Sequence, residues 1–188
     1  YNINDIKNTK VIFITIDVPT NKKNVGKYKI VLNLIKLAKK NLGKNSSLVI
    51  MSQIPPGFMR KINFSKQRLF YQVETLIFGD SIKRASEPER IIIGTSGEKI
   101  KINRHYLSII KKFKCPIIKT SYESAELTKI AINMFLSSSV TLTNKLAEVS
   151  RKIGANWSQI SASLKLDKRI GKFAYLQPGL GLSGGNLE

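Results

Sequence analysis

The sequence predicts an α/β fold: a parallel sheet covered by helices, followed by a long-helix, all-α region. Three observations carry this. Up to residue 121, short β-branched and aromatic runs alternate with amphipathic stretches, the pattern of strands buried on both faces and joined by crossover helices. Beyond residue 121 no strand is readable, and the chain can run as one helix of about thirty residues, about 45 Å at 1.5 Å per residue. The composition is that of a globular protein, 42% hydrophobic and 23% charged over 188 residues, enough to bury a sizeable core.

"KVIFITIDV" (10–18) is a nearly unbroken apolar run and reads as the first strand. "GKYKIVLNLIKLAKKNLG" (26–43) sets Ile30, Leu34, Leu37 and Ala38 on one helical face, with Gly43 as the stop. "SLVIMS" (47–52) is a second buried strand, and "QIPPGFMRK" forbids regular structure at Pro55 and Pro56 before a short helix can begin. "LFYQVETLI" reads as strand, "GDSIKRAS" as a helical turn and "RIIIGTS" (90–96) as another apolar strand. "KINRHYLSIIKKF" is a helix and "CPIIKTS" (115–121) the final strand. Strict alternation predicts a parallel sheet, whose ligands bind beyond the carboxyl ends of the strands. The segments "DVPT", "SQIPPG" and "KTSYESAE" occupy those positions.

After Ser121, "SAELTKIAINMFLSSSVTLTNKLAEVSRKIG" reads as a single helix, and "NWSQISASL" as a second, with Asn156 as its N-cap. The small residues Ser137, Ser138 and Ser139 suggest close packing on another helix. The predicted domain break falls near residue 120. A doubly wound nucleotide-binding domain opens with a strand, a G-x-G-x-x-G turn and a helix. The chain shows none of these and enters in mid-domain, so it reads as a fragment.

The net charge is +20, from 32 Lys and Arg against 12 Asp and Glu. A nucleic-acid surface and an anionic small ligand such as a phosphate ester are the functional readings. Against nucleic acid stands the scatter of lysines along helices, without an aromatic-interleaved stripe; solvated faces in a Lys-, Asn- and Ile-rich composition explain the charge without a partner. No apolar run approaches the roughly 20 residues of a membrane span, and no signal peptide opens the chain. Cys115 is the single cysteine, which excludes an internal disulfide and fits a reducing cytoplasm. It reads as an inert buried thiol, His105 as a surface histidine without a second metal ligand, and Trp157 as a packing residue.

Glu126, Lys129 and Asn133 lie at i, i+3 and i+7 on the long helix, among Leu127, Ile130, Ile132, Met134, Phe135 and Leu136. So apolar a circumference predicts burial, and a buried ammonium must be paired or face a cavity. Either Glu126 pairs with Lys129 while Asn133 bonds a neighbouring loop, or the cation and the amide are aimed at a polar ligand. The last residues, "PGLGLSGGNLE", hold four glycines in eight positions, a density that marks backbone passing close to a ligand or to other backbone.

"VPT" after the first strand, "SQIPPGFMR" after the second, "AELTKIAINMFL" on the long helix and "RIGKFAYLQPGLGLSGGN" at the end resemble, in that order, the UDP-glucose/GDP-mannose dehydrogenase family of nucleotide-sugar dehydrogenases. The resemblance covers nearly the whole chain but under half of a full-length member. It implies that residues 1–120 are part of an NAD-binding Rossmann domain and 121–188 the start of a central helical dimerisation domain. NAD as cofactor, a UDP- or GDP-linked sugar as substrate, a cytoplasmic homodimer and a role in polysaccharide-precursor synthesis are implied with it; neither nucleic acid nor membrane is. On the family pattern Val18, Pro19, Thr20, Ser52, Gln53 and Glu74 contact the cofactor. Lys129 and Asn133 match the catalytic lysine and asparagine, which stabilise charge on the reacting oxygen and position water. Arg169 matches an arginine that reaches the partner's nucleotide sugar, and Gly181, Gly184 and Gly185 match the loop that wraps the sugar.

This sequence departs from the family at three positions. Asn186 stands where the catalytic cysteine belongs, and an amide cannot form the thiohemiacetal and thioester of the second oxidation. In the stretch that reads "PEFLxEG" in the family, Glu74 is kept but Phe78 replaces the second glutamate. Gln53 stands where a threonine is usual. The expectation is an NAD-linked step that needs no thiol, or a relative that binds without turnover. The fragment by itself is expected to be inactive.

Overall fold

The structure is a computed structural model that describes residues 3–21, 26–74 and 81–181. The strands are β1 (Val11–Ile14), β2 (Ser47–Ile50), β3 (Leu69–Gln72), β4 (Ile91–Thr95) and β5 (Ile117–Ser121). The helices are α1 (Lys29–Asn41), α2 (Phe58–Lys61), α3 (Ser81–Ser86), α4 (Arg104–Ile110), α5 (Tyr122–Lys152) and α6 (Trp157–Leu166). Short 3-10 turns cover Ile3–Asn8 and Lys111–Phe113. Two compact units divide the chain, Tyr1–Lys129 and Ile130–Glu188.

In the first unit the strands form one sheet in the order β1-β2-β3-β4-β5. The mixed α/β class expected from the sequence holds, and the sheet is parallel except at one junction. β3 and β4 pair antiparallel, with Gln72 opposite Ile93. A parallel return needs a crossover helix packed on the sheet. α3 buries none of its residues, so it covers no face, and β4 runs back beside β3.

Side chains alternate across the sheet. Leu48, Ile50, Leu69 and Tyr71 join Val31, Ile35, Met59 and Tyr122 on one face. Val49, Phe70, Ile91 and Ile93 join Tyr106 and Ile110 on the other. Both faces are therefore covered at β2, β3 and β4, which is why those strand sequences are apolar without alternation. α1 buries Val31, Ile35 and Ala38; of the face expected from the sequence, Ala38 is buried and Leu34 packs partly against the core, while Ile30 and Leu37 are exposed. The stripe at i, i+4 and i+7 meets the sheet, and its neighbours on a broadly apolar helix turn outward.

Gly94 lies where β4 passes under the start of α5. A Cβ there would stand 2.9 Å from the Ala125 Cβ and 3.2 Å from the Tyr122 Cα. Gly94→Ala must therefore push α5 off the sheet; a loss of about 1–3 kcal/mol is expected in urea unfolding, and a cost below about 0.5 kcal/mol would show that this contact is slack.

In the second unit, the helix from Ile130 onward buries Val140, Thr143, Ala147 and Ser150. Thr143 Oγ1 donates to the Tyr175 carbonyl at 2.7 Å. Asn144 holds the following loop from both sides, Nδ2 donating to Leu180 O at 3.0 Å and Oδ1 accepting from Gly179 N at 2.8 Å. Asn156 caps α6 by accepting from Ser158 N, as expected, and Trp157 Nε1 donates to Leu176 O at 2.9 Å.

The all-round burial expected for α5 is not found among the described residues. Met134 is 62% and Phe135 77% exposed. Ser137 and Ser139 donate back to the Asn133 and Phe135 carbonyls of their own helix. Among the described residues no helix is long and apolar enough to cross a membrane.

Candidate active site

Because β1, β2 and β3 are mutually parallel, their carboxyl ends share one edge of the sheet. Beyond that edge lie the segment after Ile14, then Ser52 and Gln53, then Glu74. α5 runs along β3 toward the same edge. At its start, the buried Tyr122 hydroxyl donates to Leu69 O at 2.7 Å. Two turns later, Lys129 Nζ donates to Glu74 Oε2 at 3.2 Å, just past the end of β3. The Lys129 side chain is 12% and that of Glu74 31% exposed. A nearly buried ammonium is thus compensated by a carboxylate that keeps solvent contact.

Glu126 does something else than pair with Lys129, and this corrects one of the two sequence readings. Its side chain is fully buried. Oε2 accepts from Gly57 N at 2.6 Å and Oε1 from Met59 N at 2.7 Å. Gly57, with φ +83°, precedes α2 and offers no side chain as a cap. A left-handed turn of this kind is open to glycine at little cost, and it aims both amides at one carboxylate. Glu126 therefore caps α2 from 69 residues away in sequence. Burial pushes its carboxyl above the usual carboxylate range, while the two amide donors pull it down. A second tie joins the same elements: Arg60 grips Glu123 with Nε–Oε1 at 2.8 Å and Nη2–Oε2 at 2.9 Å. That fork holds the Glu123 carboxyl below its usual range.

Ser52 is buried at 3% exposure, and its hydroxyl has no hydrogen-bond partner among the described residues. Such orphans are rare and costly. Gln53 is half-buried beside it. Val18 packs against the core, Pro19 O accepts from Lys27 N at 2.8 Å, and Thr20 pairs with Gly26 in an isolated antiparallel bridge. Val18, Thr20, Ser52, Gln53, Glu74 and Lys129 all belong to the first unit.

The other residues singled out from the sequence belong to the second unit. Asn133 is half-buried on α5, one turn beyond Lys129. Arg169 is 88% exposed and grips Asp167 through Nε–Oδ1 at 3.0 Å and Nη2–Oδ2 at 2.7 Å. Gly181 is exposed. Gly184, Gly185, Asn186 and Phe78 lie outside the described residues. Cys115, read from the sequence as a buried thiol, is half-buried against the second core face. Sequence reasoning missed Asn144, the clamp of the glycine loop. It also missed the capping role of Glu126, which a glycine at a helix start without a Ser, Thr, Asp or Asn could have signalled.

Residues 123–188 match the central-domain model of the UDP-glucose/GDP-mannose dehydrogenase family. The chain is 31% identical to the UDP-glucose 6-dehydrogenase of Rickettsia conorii, over 95% of this chain and 43% of that protein. It is 29% identical to the UDP-glucose 6-dehydrogenase TuaD of Bacillus subtilis, over 95% of this chain and 40% of that one. The chain thus spans less than half the length of these relatives. Among solved structures, a UDP-glucose dehydrogenase from Pyrobaculum islandicum superposes with a TM-score of 0.82 at 22% identity, covering 98% of this chain and 45% of that one; this likeness shows the fold. Nearly the whole chain is thus homologous to UDP-glucose 6-dehydrogenases, and its residues 123–188 match the central domain of the UDP-glucose/GDP-mannose dehydrogenase family that the sequence resembles.

Proposed function

We propose that the whole protein is an NAD-dependent dehydrogenase acting on a CH–OH group of a nucleotide sugar, working as a cytoplasmic homodimer in polysaccharide-precursor synthesis. The observation that carries this reading is Lys129: a nearly buried ammonium, held at 3.2 Å by Glu74, at the carboxyl edge of the sheet. Ligands of such sheets bind at that edge.

The donor set fits a dinucleotide. The orphaned Ser52 hydroxyl, the Gln53 amide and the segment Val18–Pro19–Thr20 follow adjacent parallel strands and would hold it. NAD, when bound, supplies the acceptor for the hydride that leaves the sugar carbon. The chain's own contribution is charge and position. Lys129 stabilises negative charge on the sugar oxygen as its proton departs, and Glu74 fixes the ammonium. Asn133 supplies an amide to orient a hydroxyl or water. Arg169, whose fork grips Asp167 here, would exchange that carboxylate for a diphosphate of the partner subunit's substrate, and Gly181, Gly184 and Gly185 would let backbone N–H groups approach the sugar.

With Asn186 in place of a thiol, the proposed reaction stops after one two-electron oxidation, because no thioester can form. A binding-only relative is the second reading, favoured by Phe78 in place of a glutamate as well as by Asn186. Full-length protein, given NAD and a panel of UDP- and GDP-sugars, separates the two. The expected result is one NADH formed per sugar consumed, read at 340 nm. Two NADH per sugar would refute the single oxidation; protection on binding without any NADH would refute turnover.

A further inference from the structure

We propose that the opposite, amino-terminal edge of the sheet binds a small phosphate-bearing anion. A cavity of roughly 430 Å³ opens there, lined by Lys10, Asn45, Arg68, Asn103, Arg104 and His105. Its construction follows from the topology. Since β1, β2 and β3 are parallel, the residues that enter them share one edge. Lys10 stands immediately before β1, Asn45 two residues before β2 and Arg68 immediately before β3. The first residues of α4 complete the wall.

The lining holds three basic side chains, Lys10, Arg68 and Arg104, and no carboxylate. In a chain of net charge +20, a concave site of one sign on a low-dielectric floor concentrates anions. Arg68 is already positioned: Nη1 donates to Gly43 O at 3.2 Å and Ser46 O at 3.0 Å, and the guanidinium lies 5.1 Å from the Phe64 ring centroid. A guanidinium pinned in this way loses little further freedom on binding, and its fork suits phosphate oxygens. Arg104 Nε donates to His105 Nε2 at 3.4 Å, which ties the two side chains together. Asn103 Oδ1 is committed to His105 N at 2.9 Å, so its amide N–H groups are the end left to meet an anion. Four-residue strands put roughly 13 Å between this edge and the one bearing Ser52 and Lys129, so the inference goes beyond the proposed function.

The test is calorimetric titration of the full-length protein with inorganic pyrophosphate at constant ionic strength. Lys10→Gln/Arg104→Gln is the variant, since both residues are exposed and a matching thermal melt will verify its fold. Saturable binding of one pyrophosphate per chain is expected, weakened roughly tenfold or more in the variant, with NAD affinity unchanged. Absence of saturable binding to the parent, or equal affinity in the variant, overturns the proposal. So does binding of a single-stranded oligonucleotide that the substitutions weaken while pyrophosphate does not bind; the surface would then serve nucleic acid. Failure of the dehydrogenase reading shows separately, as loss of NAD binding whatever pyrophosphate does.

Discussion

Replacing Lys129 with alanine in the full-length protein is expected to lower kcat for nucleotide-sugar oxidation by about 10²–10³-fold, the range for removing one preorganised charge stabiliser. The effect is large because the Lys129 side chain is only 12% exposed, and little water is there to screen or replace its charge. KM is expected to change far less, because the lost interaction strengthens only as the sugar oxygen gains charge. Folding should tolerate the change. Glu74, at 31% exposure, keeps solvent contact when its partner is cut away, and the melting temperature is expected to move by only a few degrees. Steady-state NADH assays with saturating substrate provide the measurement; a variant kcat within threefold of the parent would remove Lys129 from the mechanism.

The second large effect concerns stability. Glu126→Ala is expected to cost about 2–5 kcal/mol, because the Gly57 and Met59 amides lose their acceptors at a buried helix start. For a chain of this size that lowers the melting temperature by roughly 5–15 °C. Glu126→Gln is expected to fall in between: its carbonyl can still accept, but its NH2 group is turned toward an N–H donor. The pH dependence has a definite sign. Burial raises the Glu126 carboxyl in the folded state, so folding is favoured most below the unfolded pKa and loses ground as pH rises toward the folded one. Glu126→Gln should remove that component of the slope. Glu123, lowered by the Arg60 fork, acts in the opposite sense: its stabilisation is present above the unfolded pKa and is lost as pH falls through the folded one. Melting curves across the carboxylate range measure both. A Glu126→Ala melt within 2 °C of the parent would show that the two amides find other acceptors.

What could be read from the sequence was whatever nearest neighbours dictate. Continuous apolar runs announce strands, and β1 to β4 lie where such runs occur; β5 was placed by a shorter run, and it is half polar with Ile118 exposed. The thirty-residue helix and the Asn156 cap were equally legible, since helix periodicity and capping are decided within a few residues. Desolvation alone required that Lys129 have a partner. Which partner was not legible: Glu126, three residues away, is bound to α2, and Glu74, 55 residues away, takes the lysine. The reversed β4 has the same origin. The sequence shows a helical turn at 81–86 but not that it buries none of its residues.

By itself, then, the chain determined its elements, the family it resembles and the need to neutralise a buried cation. Tertiary structure decided which carboxylate neutralises it, which stripe of α1 meets the sheet and which amides Glu126 caps. The physical reason is one of range. Backbone periodicity and caps are set by residues within a turn or two, whereas hydrogen bonds and ion pairs between segments far apart in sequence form only after the strands have chosen their order and direction.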